Sequence, residues 1–98
     1  GADADLILGS TLVDIKTLAN TEIDQVTHHQ LLGYFLLARR HRAENHDFPC
    51  IDRVGIYFSR HGFLWTMPTS NWTDQGAFVE VEQQFFELAR RWLAGKLQ

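Results

Sequence analysis

The chain has 98 residues, of which 45% are hydrophobic and 12% aromatic, so we expect one folded domain with a core rather than a disordered chain. Nine Lys and Arg against twelve Asp and Glu give a net charge of −3, which argues against a uniformly basic nucleic-acid-binding protein. Cys50 is the only cysteine, so no intrachain disulfide can form; no apolar run is long enough to span a membrane, and we expect a cytoplasmic location.

The first predicted element is a hairpin with strands at 4–8 and 11–18. Both strands are rich in Leu, Ile and Val, and they flank Gly9-Ser10. Glycine at the first central position suits a type II′ two-residue turn. This turn fixes the register, so that Leu8 faces Thr11 and Asp5 faces Asp14 across the strands.

Alternation of side chains divides the hairpin into two different faces. One face is apolar and carries Ala4, Leu6, Leu8, Val13 and Ile15. The other is mixed and carries Asp3, Asp5, Ile7, Leu12, Asp14 and Lys16.

Opposed Asp5 and Asp14 would repel each other, because cross-strand partners lie about 5 Å apart at Cβ. A divalent cation, the Lys16 ammonium or a raised pKa of one carboxyl would each offset the repulsion. The alternative is a solvated face, on which the acids lie in water and Lys16 pairs with Asp3.

The next predicted element is a helix over 21–42, with Thr21 and Asp24 in the pattern of a capping box. Its middle is apolar nearly all round, which predicts substantial burial. Gln30 and Tyr34 are polar-tipped residues on one face of it, four residues apart. A buried Gln needs hydrogen-bond partners, and the mixed face of the hairpin would supply them if the helix crosses there; otherwise Gln30 marks a solvent edge and Tyr34 belongs to the core.

After a loop that ends near Pro49, residues 51–70 predict a second hairpin with its turn at His61-Gly62. A Ser-, Asn- and Thr-rich turn leads to a predicted helix over about 75–96, capped by Thr73 or Asp74. Its apolar stripe is expected to pack in the core and consists of Phe78, Val81, Phe85, Leu88 and Trp92. The order β-β-α-β-β-α predicts an α/β (α+β) fold with helices packed on a mixed sheet.

The motifs DADL, LVDIKT and QLLGY together resemble the PD-(D/E)xK nuclease superfamily, in particular its RecB-like branch. That family has an Asp at the end of one strand, Asp/Glu-x-Lys on the next and Gln-x-x-x-Tyr on the helix that follows. The matching residues here are Asp5, Asp14-Ile15-Lys16, and Gln30 with Tyr34. The resemblance covers roughly residues 3–37.

The resemblance implies a restriction-endonuclease-like core and metal-dependent hydrolysis of phosphodiester bonds in nucleic acid, DNA more than RNA. Asp5, Asp14 and the backbone carbonyl of Ile15 would hold Mg²⁺ or Mn²⁺. Lys16 would orient the attacking water and stabilise charge at the phosphate, and Gln30 and Tyr34 would position the site.

The chain departs from the family pattern at its start, because it lacks the usual first helix and the acid that this helix often contributes. We therefore expect residues 1–98 to form a single domain that is a fragment or a minimal version of the family core. One sheet face would need cover, either from the C-terminal helix or from a second protomer in a homodimer. The alternative function is a catalytically inactive nuclease-fold module that dimerises or binds nucleic acid or protein.

A basic cluster closes the predicted 21–42 helix and recurs at the second hairpin. Arg39, Arg40, Arg42 and Arg60 are candidates for phosphate contacts in bound nucleic acid. The alternative is a solvated helix end and hairpin rim, since cations also suit the negative end of a helix dipole.

Overall fold

The computed structural model describes residues 4–17 and 19–96, and the side chains of 6–17 and 19–95. Within these residues it is an α+β structure with a four-stranded mixed sheet and three helices, one helix more than the predicted order β-β-α-β-β-α. The elements in chain order are β1 (Ala4–Leu8), β2 (Thr11–Lys16), α1 (Gln25–Glu44), β3 (Arg53–Phe58), β4 (Phe63–Pro68), α2 (Ser70–Thr73) and α3 (Phe78–Lys96).

The sheet has the strand order β1-β2-β3-β4. The antiparallel β1–β2 pair has the predicted register, with Asp5 opposite Asp14 and Leu8 opposite Thr11. Gly9 has a φ of 63°, which the tight turn requires. Strands β2 and β3 are parallel, with Asp14 in register with Ile56, and α1 forms the crossover between them. A second antiparallel hairpin, β3–β4, completes the sheet.

Helix α1 covers the mixed face of the first hairpin. The residues buried between α1 and the sheet include Leu12, Leu31, Phe35, Ile56 and Phe58. Asp14 and Lys16 lie on this same face and are buried as well. The alternative of a solvated mixed face is therefore wrong, because the parallel strand β3 extends this face with apolar residues that α1 must cover.

The opposite face of the sheet is much more open. Leu6 and Leu8 of β1 and Leu64 of β4 are exposed, although Val13 between them is buried. The helix α3 does not supply the missing cover, since it packs on the outer side of α1. The described part of the C-terminal helix is therefore not the cover of this sheet face that the sequence analysis considered.

The start of α1 differs from the prediction by four residues. Asp24 is the N-cap, and its Oδ1 accepts a hydrogen bond of 2.8 Å from the Thr27 amide. Thr21 precedes the helix, so the capping-box interpretation is wrong at that residue. The sequence holds two cap-forming residues three apart, and the local pattern did not decide between them.

The turn predicted after the second hairpin contains the short helix α2, whose Trp72 is buried. Helix α3 then begins at Phe78, three residues later than predicted. Its Phe78 packs on Phe35, and its Phe85 lies 3.6 Å from the position that a Cβ would take at Gly33. The two helices therefore approach closely where α1 has no side chain.

The predicted apolar stripe of α3 is only partly in the core. Phe78 is buried and Phe85 is half-buried, whereas Val81, Leu88 and Trp92 are 41%, 63% and 65% exposed. The prediction of core packing for these three residues is wrong. A single neighbouring helix covers only one side of the stripe and leaves the other side at the surface.

Candidate active site

Strand β2 places the two charged residues of the Asp14-Ile15-Lys16 motif on one face. Asp14 and Lys16 point towards α1, and Ile15 between them lies on the opposite face of the sheet. The end of this strand is held by Ser59, whose amide and hydroxyl both donate to the Lys16 carbonyl, at 2.9 and 3.1 Å. This anchor fixes the backbone from which the Lys16 side chain projects.

The Lys16 ammonium links two motifs that are distant in sequence. Its Nζ lies 3.3 Å from Asp14 Oδ2, and it donates a hydrogen bond of 3.3 Å to Gln30 Oε1 on α1. The predicted helix crossing therefore brings Gln30 to the charged residues of the hairpin. Among the three predicted ways of offsetting charge at Asp14, the structure provides the Lys16 ammonium.

This ion pair is almost completely shielded from solvent. Asp14 is 1% and Lys16 is 5% exposed, while Gln30 is an exposed residue whose amide oxygen reaches inward to the lysine. Removing two charges from water has a large desolvation cost, which close pairing and further hydrogen bonds offset. The cluster is thus a charged group enclosed beneath a helix.

Asp5 is placed by its backbone directly across β1–β2 from Asp14. Its side chain lies outside the described side chains, and Asp3 lies outside the described residues. Of the predicted metal ligands, the structure therefore describes the Asp14 carboxylate and the backbone carbonyl of Ile15, both on β2.

Tyr34 is half-buried one turn beyond Gln30. Both residues line a shallow groove of about 400 Å³ whose other walls include Val26, Leu37 and Phe85. Among the described side chains, Asp14 and Lys16 do not line this groove. Gln30 therefore connects the buried ion pair with an open, mainly apolar surface.

The N-terminus of α1 lies at the same end of the sheet as Lys16. The Asp24 carboxylate caps it, and the hydrogen bonds from the Thr27 amide and hydroxyl hold the pKa of Asp24 below its usual value of 3.8. The positive charge of Lys16 makes a smaller contribution in the same direction. The cap and the buried lysine thus interact electrostatically.

The three predicted phosphate-binding arginines of α1 lie towards its other end, about 14–18 Å along the helix from Gln30. Each has an intramolecular partner: Arg39 pairs with Glu82 at 2.9 Å, Arg40 pairs with Glu44 at 3.4 Å, and Arg42 donates to the Phe48 carbonyl at 2.6 Å. These contacts tie α1 to α3 and to the following loop. The structure does not bring these arginines to the Asp14–Lys16 pair.

Arg60 lies in the turn between β3 and β4, which begins after Phe58. Phe58 is in register with Lys16. Of the predicted phosphate-binding arginines, Arg60 therefore lies at the end of the sheet that carries Lys16. Its neighbour His61 contacts the Ala19 carbonyl through Nε2 at 2.8 Å. This contact joins the turn to the loop between β2 and α1.

Ser59 is the residue of this region that the sequence analysis missed. Its role depends on the parallel pairing of β2 with β3, which brings together residues 43 positions apart. A serine directly after a strand is common, and only the predicted pairing of the strands would have singled it out.

No family model, curated protein or solved structure matches the chain. Within the described residues, no helix is long and apolar enough to cross a membrane. Within the same part of the chain, no three His, Cys, Asp or Glu residues are grouped as a metal site.

Proposed function

We propose that this chain is a metal-dependent nuclease-type domain that hydrolyses phosphodiester bonds, with Asp14, Lys16 and Gln30 at its site. The observation that carries the proposal is the position of Lys16 Nζ, 3.3 Å from both Asp14 Oδ2 and Gln30 Oε1. Two motifs named by the PD-(D/E)xK resemblance therefore meet in space through their polar atoms. The opposed backbone positions of Asp5 and Asp14 agree with the same pattern.

The donor chemistry fits a hard cation that keeps most of its water shell. Mg²⁺ and Mn²⁺ are often held by one or two carboxylates and several waters. Asp14 would supply one carboxylate, Asp5 is in register to supply another, and the Ile15 carbonyl would be a further ligand. When bound, such an ion polarises a phosphodiester and makes a nearby water more acidic.

The protein's own groups would position the substrate and balance charge. Lys16 is a cation held by two partners, and it would stabilise negative charge on a phosphate oxygen that reaches it. Gln30 holds the ammonium in place through its amide oxygen. Tyr34, one helical turn away, lines the groove and would contact a nucleic-acid backbone.

The burial of the pair favours a second candidate function. Because Asp14 is 1% and Lys16 5% exposed, a phosphodiester would reach them only after α1 moves away from the sheet or the covering side chains rotate. A catalytically inactive nuclease-fold module, in which the pair stabilises the fold, needs no such opening. This module would bind a second protomer, nucleic acid or another protein.

A cleavage assay combined with metal titration distinguishes these functions. We would measure Mn²⁺ binding by calorimetry and the cleavage of single- and double-stranded DNA and RNA with Mg²⁺ or Mn²⁺. The variants are Asp14→Asn and, as a matched control, Asp47→Asn, which changes an exposed aspartate of the loop after α1. Circular dichroism verifies that each variant is folded.

A nuclease requires cleavage and Mn²⁺ binding that are lost in Asp14→Asn and kept in Asp47→Asn. Absence of cleavage by the unsubstituted chain, or Mn²⁺ binding that survives Asp14→Asn, would contradict this function. Absence of cleavage together with retained nucleic-acid binding or dimer formation would support the inactive module.

A further inference from the structure

Access to the buried Asp14–Lys16 pair depends on how α1 begins. The pair lies beneath α1, and Gln30 in the second turn of this helix accepts a hydrogen bond from the Lys16 ammonium. The segment 19–24 leads from the end of β2 into the helix. Any movement of the first turns of α1 away from the sheet therefore moves this segment as well.

The first turns of α1 bury fewer side chains than the turns that follow. Among residues 25–30 the buried residue is Thr27, whereas residues 31–38 include four buried residues. Of residues 19–24, Ile23 is half-buried and the other five are exposed. Segments with few buried contacts open more readily than the rest of a fold. The part of the chain that covers the pair next to Gln30 is therefore the part that moves at the lowest cost.

The turn between β3 and β4 contacts this region at two points. Ser59 donates from its amide and its hydroxyl to the Lys16 carbonyl, at 2.9 and 3.1 Å. Two residues later, His61 Nε2 lies 2.8 Å from the Ala19 carbonyl. Because a carbonyl oxygen only accepts, Nε2 carries the proton of this hydrogen bond.

The two contacts act on different parts of the chain. Lys16 ends β2 and is in register with Phe58 of β3, so Ser59 holds a backbone that the sheet already fixes. Ala19 lies beyond the sheet, in the exposed segment that leads into α1. The bond from His61 to Ala19 thus restrains a segment that packing restrains only at Ile23.

We propose that the hydrogen bond from His61 to Ala19 is a latch that keeps α1 closed over the Asp14–Lys16 pair. While the latch is formed, the segment 19–24 and the first turns of α1 stay against the sheet. When it is released, they swing about the end of β2, which Ser59 keeps in place, and the pair becomes accessible. The importance of this opening for cleavage rests on the proposed nuclease function, whereas the latch itself can be measured without cleavage.

Acetylation of lysine by limiting acetic anhydride, on the full folded chain, measures the latch directly. The chain has two lysines, Lys16 and Lys96, so tandem mass spectrometry assigns each product and Lys96 serves as the internal reference. A buried amine reacts only while the molecule is open, so the relative rate at Lys16 follows the population of open molecules.

Three variants isolate the imidazole donor. His61→Ala should acetylate Lys16 about twofold to tenfold faster, which is the effect of losing one hydrogen bond. His61→Gln places an amide nitrogen near the position of Nε2 and should restore the slow rate. His46→Ala is the matched control, because it removes an exposed imidazole whose residue is hydrogen-bonded through its backbone carbonyl; its rate should equal that of the unsubstituted chain.

Gly55→Ala separates local opening from global unfolding. A Cβ at Gly55 would meet the Trp65 carbonyl oxygen at 2.8 Å, and this strain in the sheet is the same whether the latch is open or closed. Amide exchange in β3 should therefore accelerate in Gly55→Ala, while the rate at Lys16 stays unchanged. A rate at Lys16 that rises as much in Gly55→Ala as in His61→Ala would show that the lysine reacts through global unfolding, and it would overturn the latch.

The outcomes for the latch and for the nuclease function are distinct. An unchanged rate at Lys16 in His61→Ala, or a rate in His61→Gln as fast as in His61→Ala, overturns the latch whatever the cleavage assay shows. A rate that responds to His61 while no nucleic acid is cleaved supports the latch and contradicts the nuclease function. Cleavage that accelerates together with acetylation in His61→Ala supports both.

Discussion

Lys16→Met is the most informative single change to the fold, because it removes the cation and keeps most of the side-chain volume. The change would leave the Asp14 carboxylate buried, at 1% exposure, without the ammonium 3.3 Å away. Removing one partner of a buried ion pair costs about 3–5 kcal/mol. A domain of this size has a total stability of about 5–15 kcal/mol, so the variant should lose a large part of it.

Urea unfolding followed by circular dichroism measures this loss. With a slope of about 1.5 kcal/mol per M, the midpoint should fall by about 2–3 M while the slope stays constant. Glu44→Gln is the matched control, because it neutralises an exposed pair with Arg40 at 3.4 Å. Exposed pairs contribute about 0–1 kcal/mol, so the control midpoint should move by less than about 0.7 M.

The double variant Asp14→Leu with Lys16→Met completes the test. Leucine resembles aspartate in shape and carries no charge, and replacing a whole buried ion pair by apolar residues is often neutral or stabilising. The double variant should therefore be more stable than Lys16→Met alone. A loss below about 1 kcal/mol in Lys16→Met, or a double variant no more stable than the single one, would refute a buried, mutually dependent pair.

Three further predictions concern the elements around the site. Leu31→Ala, in a fully buried position, should cost about 2–5 kcal/mol in urea unfolding, whereas Leu37→Ala, which is exposed, should cost less than about 1 kcal/mol; similar losses would contradict the orientation of α1. Gly55→Ala should destabilise the sheet by about 1–3 kcal/mol, because its Cβ would meet a backbone carbonyl of β4 at 2.8 Å, and an unchanged melting temperature would contradict this close approach. The hydrogen bonds from Thr27 lower the pKa of Asp24 below 3.8, so the stabilisation by its charge is present above pH 3.8 and is lost as the pH falls through the lowered pKa. Asp24→Asn keeps a capping oxygen without this titration, so the stability of the unsubstituted chain relative to Asp24→Asn should decrease on acidification, and a constant difference would show that the cap is not ionised.

The position of the site residues on their own elements was predictable from the sequence. The Gly9-Ser10 turn fixes the hairpin register and hence the pairing of Asp5 with Asp14, because the backbone of a two-residue turn allows one alignment. The apolar residues of the following segment predict a largely buried helix, and α1 forms there. These features depend on residues close to each other in the chain.

The tertiary structure alone decided which face of that hairpin is buried. The sequence of β1 and β2 has a more apolar face, with Leu6 and Leu8, yet α1 covers the face with Asp14 and Lys16. The crossover from β2 to β3 places its helix on one side of the sheet, and that side is determined by the handedness of the connection rather than by local hydrophobicity. Val54, Ile56 and Phe58 of β3 supply the apolar surface on that side.

The exposed half of α3 has the same kind of cause. The stripe that includes Leu88 and Trp92 has the spacing of a buried helix face, and no local signal separates a stripe that packs within one chain from a stripe that packs between chains. The burial of each stripe residue depends on how much neighbouring surface the rest of the chain provides. Helix α1 provides enough to bury Phe78 and to half-bury Phe85. The sequence by itself thus determined the four strands, the two long helices, the hairpin register and the residues that carry charge. The packing of distant elements decided that the Asp14–Lys16 pair is enclosed and that Leu88 and Trp92 lie at the surface.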